Sequence, residues 1–216
     1  MTATIIKIGP TSTGQDFARC RSVIVSGGVI AYPTDTFYGL GADPKNPEAV
    51  KRLFAIKGRP IGQPILLLLH DRSRVPEWAA EATAEAEALM DAFWPGPLTL
   101  VFPALPSVLQ ELTGGTGRIG LRVPGSAVTR RLLEALGTAI TGTSANRSGG
   151  PDLQTARDVA GMLGDRVDLI LDAGKTPGGK ASSVVDVSAA GLTMVREGAV
   201  SEQELRDTWH KFKKRT

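Results

Sequence analysis

Residues 46–69 read NPEAVKRLFAIKGRPIGQPILLLL, and this stretch decides the fold. Asn46-Pro47 is a helix start, because asparagine caps helices and proline is favoured at their first position. Apolar residues recur from Val50 with the spacing of one helix face, and Pro60 blocks any continuation. The apolar run 65–69 then has the length and composition of a buried strand. A helix over 47–57 followed by a buried strand predicts an α/β fold.

The same alternation of apolar runs and helical patterns covers most of the chain. The predicted strands span 4–8, 29–32, 65–69, 98–102, 119–123, 139–142, 169–171, 184–187 and 192–195. The predicted helices span 15–25, 47–57, 80–93, 127–136, 156–163 and 202–211. This order predicts one α/β domain over residues 1–216, with a mixed or largely parallel sheet covered by helices. The short connection between the last two strands predicts an antiparallel hairpin.

Composition excludes several classes of protein. Of 216 residues, 42% are hydrophobic and 22% charged, which is typical of globular chains and not of disordered ones. The single cysteine, Cys20, excludes a disulfide framework and a cysteine-based metal site, and two histidines argue against a histidine-rich metal centre. The sequence has neither a membrane-length apolar run nor a signal-peptide pattern, so we expect a cytoplasmic protein with no membrane partner.

The positive charge is unevenly distributed along the chain. The net charge is +3, and residues 211–216 alone carry four positive side chains. We expect this tail to be a frayed, solvated helix end, and its contact with RNA stays open. The nearly neutral remainder suits an anionic small molecule better than a long nucleic-acid track.

Lys57 and Arg59 form an unusual pair at the end of the predicted helix 47–57. Lys57 continues the apolar face two turns beyond Val50, at i+7. Two interpretations remain open. Lys57 extends its stem along the core while Arg59 lies near the negative end of the helix dipole, or the two cations converge on a phosphate or carboxylate.

Small polar residues, TGTSANRSGG at 141–150, follow the predicted strand that ends near Ile140. Hydroxyls, an amide and free backbone N–H groups at the end of a strand occur where ligands bind in open α/β sheets. The residues also suit a plain turn, and both interpretations remain open. A serine hydrolase is disfavoured, because Asn146 replaces the second glycine of a nucleophile elbow and neither histidine has a catalytic context.

Two further loops carry functional groups of the kind that occur in ligand sites. The stretch YPTDTFYGLG at 32–41 follows a strand and carries hydroxyls, a carboxylate and glycines, which suit either a substrate-lined loop or a capped β-turn. The stretch GKTPGGKA at 174–181 is not a nucleotide phosphate loop. Alanine stands where Ser/Thr would hold magnesium, and a strand follows instead of a helix. We expect it to be a flexible loop that covers a ligand.

Seven ordered motifs together resemble the YrdC-like family of threonylcarbamoyl-AMP synthases, over residues 14 to 200. They are PTDTFYGL (33–40), KGRP (57–60), WPGPLT (94–99), GLRVP (120–124), TSAN (143–146), SSVVD (182–186) and REG (196–198). The resemblance implies a single-domain, twisted open α/β sheet with a basic concave cavity. Longer members carry an additional C-terminal domain, which we do not expect here.

The resemblance also implies a reaction. L-threonine, bicarbonate and ATP would give threonylcarbamoyl-AMP and pyrophosphate, with Mg²⁺ carried by the ATP phosphates. The product would pass to the machinery that attaches the threonylcarbamoyl group to tRNA adenosine beside the anticodon. The family's catalytic and ATP-binding positions correspond to Lys57, Arg59, Ser144 and Asn146, its further ATP contacts to Gln63 and Arg196, and its threonine-binding positions to Thr36, Arg122 and Ser182.

One position departs from the family pattern. Some members place a threonine-contacting histidine where this sequence has Leu68. His70 lies two residues further on and would share a strand face with Leu68, so it is a candidate replacement. The way in which the amino acid is oriented therefore stays open.

Two other functions compete with the synthase. A basic cavity and tail would suit a non-catalytic module for tRNA or double-stranded RNA, although an aromatic content of 5% argues against base stacking. A relative with the same fold and a different carbamoyl acceptor is the other alternative. The Lys57/Arg59 and Ser144/Asn146 pairs argue against a loss of activity.

Overall fold

A computed structural model describes residues 3–9, 12–60, 62–80, 82–188 and 191–213. The strands are β1 (Thr4–Lys7), β2 (Ile30–Pro33), β3 (Tyr38–Gly41), β4 (Leu66–Leu68), β5 (Leu98–Pro103), β6 (Arg118–Arg122), β7 (Ile140–Ser144), β8 (Leu169–Asp172), β9 (Ser183–Ser188) and β10 (Gly191–Arg196). The helices are α1 (Gly14–Val25), α2 (Pro47–Lys57), α3 (Ala84–Phe93), α4 (Gln110–Thr113), α5 (Ala127–Leu136), α6 (Ala156–Leu163) and α7 (Glu202–Lys213), with a 3₁₀ helix at Arg72–Glu77.

The strands form one open, mixed sheet. Their order is β1-β8-β2-β3-β7-β4-β6-β5-β9-β10. Parallel pairs are β1/β8, β2/β8, β4/β6 and β5/β9, and the other neighbours are antiparallel, including the expected hairpin β9/β10. The predicted α/β class and mixed sheet are confirmed, but the sheet is not largely parallel.

Strand β3 was missed, because we expected residues 32–41 to form a loop. The chain turns at 34–37 and returns as β3, which pairs antiparallel with β2. Gly41 made the segment resemble a turn, yet this glycine lies within the sheet. A Cβ there would lie 2.2 Å from Ile140 Cδ1 and 2.7 Å from Tyr32 Cε1, so only glycine fits this close approach.

Local capping explains where helices begin and end. Helix α2 has the predicted bounds, because Asn46 Oδ1 accepts from the backbone N–H groups of Glu48 and Ala49, and Gly58 ends the helix at φ 58°. The predicted helix 80–93 was wrong at its start. Helix α3 begins at Ala84, because Thr83 Oγ1 accepts from the first turn at 3.2 Å.

Hydrophobic residues pack on both faces of the sheet. Successive residues of β2 alternate between two clusters, with Ala31 in the larger one and Ile30 and Tyr32 in the smaller. The larger cluster includes side chains of α2, α3, α6 and α7, and the smaller includes side chains of α1 and α5. On the face of the sheet that packs against α1 and α5, the half from β4 to β10 therefore stays open to solvent.

The basic tail is only partly described. Lys211 to Lys213 continue α7 rather than fraying, and Lys213 Nζ lies 3.4 Å from a carboxylate oxygen of Glu85 on α3. Residues 214–216, the rest of the expected frayed tail, lie outside the described residues. Within the described ranges, no helix has the length and apolar character needed to cross a membrane.

Candidate active site

A cavity of about 570 Å³ lies on the accessible half of the sheet. Its floor consists of small and apolar side chains of the strands, including Gly120, Gly142, Leu66 and Val184. The structure places all nine predicted site residues along its lining, namely Thr36, Lys57, Arg59, Gln63, Arg122, Ser144, Asn146, Ser182 and Arg196. The two clusters far apart in sequence thus face one shared cavity.

Lys57 ends α2 with its ammonium group inside the protein. The residue is 3% exposed, and Nζ donates to Ser144 O at 2.6 Å, Asn146 O at 2.9 Å and Asn146 Oδ1 at 2.9 Å. An ammonium group has three protons, so protein oxygens already occupy all of its donor capacity. Each of the two interpretations of Lys57 therefore explains only part of the arrangement. Its charge lies at the cavity, where it could face an anion, but its three hydrogen bonds hold the turn after β7.

The turn after β7 is fixed by its own side chains as well. Ser144 Oγ donates to Asn146 Oδ1 at 2.8 Å, and Asn146 Nδ2 donates to Gly150 O at 2.8 Å. The backbone N–H of Ala145 donates to Tyr38 O at 2.8 Å, which ties the turn to β3. The hydroxyl and amide groups of this turn are therefore pre-positioned at the cavity wall.

Arg59 and Arg196 supply cationic groups with unused donors. Arg59 Nε donates to Gln63 Oε1 at 2.7 Å, and Arg196 Nε and Nη2 donate to Ser182 O at 3.2 and 2.8 Å. The Nη1 group of each arginine has no hydrogen-bond partner among the described residues. Both are thus free to bind an anion in the cavity.

The cations around the cavity lie close enough to affect one another. Burial and then the charge of Arg196 lower the pKa of Arg59. Burial lowers the pKa of Arg196 as well, Asp152 raises it, and Arg122 lowers it. Positive groups close enough to lower the pKa of a neighbouring cation favour a bound anion.

Thr36, Arg122 and Ser182 lie along the remaining wall. Thr36 Oγ1 is 3.1 Å from Thr34 Oγ1, and Ser182 Oγ is 3.2 Å from Arg196 Nη2. Arg122 is 4% exposed and pairs with Asp35. Hydroxyl groups and a buried guanidinium are suitable for a small ligand that carries hydroxyl and carboxylate groups.

His70 does not enter the cavity. Strand β4 ends at Leu68, which lines the cavity, so the expected alternation does not continue to residue 70. His70 Nδ1 instead lies 3.0 Å from Asp71 Oδ2, and both residues border a separate pocket of about 210 Å³. The suggestion that His70 replaces the family's histidine was wrong.

Sequence reasoning missed Arg118 and Asp152, which also line the cavity. Arg118, Gly120 and Arg122 alternate along β6, so their period of two could have identified Arg118 as a cavity residue. Asp152 accepts from Asn146 Nδ2 at 3.3 Å and had no comparable signal. In the loop 174–181, the Gly178 N–H donates to Thr36 O at 2.8 Å, which anchors the loop beside the cavity.

The buried ammonium of Lys57 gives a pH-dependent stability. Burial, and then the charge of Arg59, lowers the pKa of Lys57 to about 8 from 10.5. Between pH 8 and 10.5 the unfolded chain binds more protons at this residue than the folded chain, so its contribution to stability rises with pH. Urea unfolding at pH 7.5 and 9.5 should show wild type gaining stability relative to Lys57→Met. An unchanged difference would contradict the lowered pKa.

The fold and the cavity define an α/β protein with a candidate anion-binding site, formed by converging cations and small polar groups. The sequence model of the Sua5/YciO/YrdC family, described as "Telomere recombination", matches residues 22–198. The chain belongs to this family.

Two curated relatives and one solved structure illustrate the similarity. A threonylcarbamoyl-AMP synthase of Pyrococcus abyssi is 36% identical over 182 residues, which cover 84% of this chain and 54% of the relative. One of Alkalilimnicola ehrlichii is 40% identical over 165 residues, 76% of this chain and 86% of the relative. The crystal structure of P. abyssi Sua5 complexed with L-threonine has a TM-score of 0.91 at 33% identity, covering 95% of this chain and 61% of that one.

The chain spans just over half the length of the first curated relatives that it matches, at 54% and 57%.

Proposed function

We propose that this protein is a nucleotidyltransferase that makes threonylcarbamoyl-AMP from L-threonine, bicarbonate and ATP, with release of pyrophosphate. The observation that carries the proposal is the convergence of Lys57 and Arg59 with the Ser144–Asn146 turn on one cavity. Family membership and the threonine complex of P. abyssi Sua5 support the choice of substrates.

The cavity divides between the two larger substrates. Arg59, Gln63 and Arg196, with Ser144 and Asn146, would bind the ATP phosphates. Thr36, Arg122 and Ser182 would bind threonine on the other side of Arg196, which contacts Ser182 directly. A cavity of about 570 Å³ lies within the range of small-molecule and cofactor sites.

The chemistry needs positioning and positive charge more than covalent catalysis. The threonine amine combines with bicarbonate to form a carbamate and water, or with CO₂ to form a carbamate and a proton. A carbamate oxygen then attacks the α-phosphorus of ATP as the bond to pyrophosphate breaks. Arg59 and Arg196 would stabilise the charge that develops on the phosphoryl oxygens. Lys57 would keep the Ser144–Asn146 turn against the phosphates and add its charge. A carbamate is already anionic, so the attack requires no general base.

Magnesium enters the proposal as an ion carried by the ATP phosphates, where it would neutralise the leaving pyrophosphate. The described residues contain no group of three or more His, Cys, Asp or Glu side chains that could hold a metal ion. Among the described residues, Asp152 supplies the carboxylate that lines the cavity, and it accepts a hydrogen bond from Asn146 Nδ2. This donor set fits a metal that arrives with its nucleotide.

The partners follow from the product. A threonylcarbamoyl-adenylate would be consumed by machinery that transfers the threonylcarbamoyl group to tRNA adenosine beside the anticodon, in the cytoplasm. Weak tRNA binding by this chain would assist that transfer. The reaction itself needs no nucleic acid in the cavity.

Pyrophosphate release from Mg·ATP tests the proposal. We expect release only when L-threonine and bicarbonate are both present, with threonylcarbamoyl-AMP detected by mass. Release without threonine, or no release at all, would contradict the proposed function. Faster release with another amino acid would favour the relative with a different acceptor. Tight tRNA binding, with thermal stability unaffected by ATP and threonine, would favour the RNA-binding module.

A further inference from the structure

Asp35 lies in the turn between β2 and β3, and no step of the proposed reaction uses it. Asp35 Oδ1 accepts a hydrogen bond from Arg122 Nη2. Its other oxygen, Oδ2, is buried and has no hydrogen-bond partner among the described residues. A buried carboxylate oxygen without a partner lowers stability, so the arrangement needs an explanation.

The contacts of Asp35 fix the direction of the Arg122 guanidinium. Arg122 Nη2 donates to Asp35, and Arg122 Nε donates to Gly96 O at 2.9 Å. The guanidinium is planar, so two contacts at separate nitrogens determine where the third nitrogen points. Arg122 Nη1 has no partner among the described residues, and Arg122 lines the cavity.

Gly125 lies close against the Asp35 carboxylate. A Cβ on Gly125 would lie 3.0 Å from Asp35 Oδ2 and 3.3 Å from its Cγ, closer than side chains ordinarily pack. The close approach of Gly125 and the contact with Arg122 therefore both limit the freedom of the carboxylate to move.

We propose that Asp35 is a positioning residue that directs Arg122 Nη1 at the carboxylate of the amino-acid substrate. The inference rests on the proposed function and adds a cause of substrate selectivity. The Asp35–Arg122 pair would favour amino acids with a free carboxylate over their amides.

The sign of the effect distinguishes positioning from simple electrostatics. Asp35 partly neutralises Arg122, so a purely electrostatic view predicts tighter binding of a substrate carboxylate when Asp35 loses its charge. The positioning view predicts weaker binding, because the charge-assisted hydrogen bond that fixes the guanidinium is replaced by a weaker one to a neutral amide oxygen.

The test compares Asp35→Asn with wild type in the pyrophosphate assay. We expect the KM for L-threonine to rise about tenfold, with the KM for ATP within about threefold of wild type. Binding of L-threonine and L-threoninamide, followed by calorimetry, gives a second readout. Wild type should prefer the free acid, and Asp35→Asn should lose most of that preference. A merely structural role would not change this ratio.

Asp186→Asn is the matched control, because Asp186 pairs with Arg118, which lies on β6 with Arg122 and lines the same cavity. It should leave the KM for threonine and the preference for the acid at wild-type values. Gly125→Ala supplies a second variant that keeps Asp35 but displaces its carboxylate, and it should act in the same direction as Asp35→Asn.

Several outcomes would overturn the inference. They are an unchanged or lower threonine KM in Asp35→Asn, a wild type that does not discriminate acid from amide, or an equal effect in Asp186→Asn. Wild type is assayed first. If it makes no threonylcarbamoyl-AMP, the proposed function has failed. If it is active and Asp35→Asn is normal, only the role of Asp35 has failed.

Discussion

Replacing Lys57 with methionine is expected to lower turnover of the proposed synthesis about 100-fold, or about 2.7 kcal/mol of barrier stabilisation. Methionine retains an apolar stem but removes the ammonium that donates to Ser144 O, Asn146 O and Asn146 Oδ1. Asn146 O would be left without a partner, at a cost of about 1–3 kcal/mol, and the other two acceptors would keep only their contacts within the turn, so the turn would relax away from the cavity. The same change removes one positive charge from the cavity wall.

Steady-state pyrophosphate release and the urea midpoint should both fall in this variant. Lys51→Met is the matched control, because Lys51 lies on the same helix but its side chain is 50% exposed and pairs with surface Glu48. A folded Lys57→Met protein with turnover near wild type would show that the turn does not depend on the ammonium.

The second large effect is expected for Arg59→Ala, which should also lose about 100-fold in turnover, or about 2.7 kcal/mol. Here the cause is direct, because Arg59 Nη1 has no partner among the described residues and is available to the phosphates. The free energy of unfolding should change by only about 0.5 kcal/mol, as is usual for side chains outside the core. Loss of turnover without loss of stability separates Arg59 from Lys57.

Arg59→Lys should recover part of the lost turnover, since lysine keeps the charge but cannot bind phosphate in a bidentate manner. Arg157→Ala, at an exposed position on α6, provides the control for the loss of one surface charge. Wild-type turnover in Arg59→Ala would remove this arginine from the phosphate site.

Local signals in the sequence were sufficient to predict most of the helices and strands. Helix α2 was predicted at both ends, because Asn46, Pro47 and Gly58 each act through their immediate neighbours. Strand β3 was missed, because Gly39 and Gly41 suggest a turn when read locally. Their absence of a side chain instead makes room for Tyr32 and Ile140, contacts that exist only once the sheet has formed.

The candidate site shows the same division between local and long-range causes. The motif resemblance identified residues that the fold brings to one cavity, although their spacing in sequence gives no distance. The three acceptors of Lys57 lie 87 and 89 residues away, so no local pattern could show that they occupy its protons. The prediction that His70 shares a strand face with Leu68 was wrong for a related reason, because the position at which β4 ends depends on the strands beside it.

The separation along the chain of the residues around the cavity has a consequence for biosynthesis. Thr36 precedes Arg196 by about 160 positions, and Arg196 reaches Ser182 only when β10 has paired with β9. At a typical elongation rate, the interval between these two residues lasts roughly ten seconds or more on the ribosome. A nucleotide bound as proposed therefore cannot stabilise the chain during this interval, and the earlier strands must persist without it.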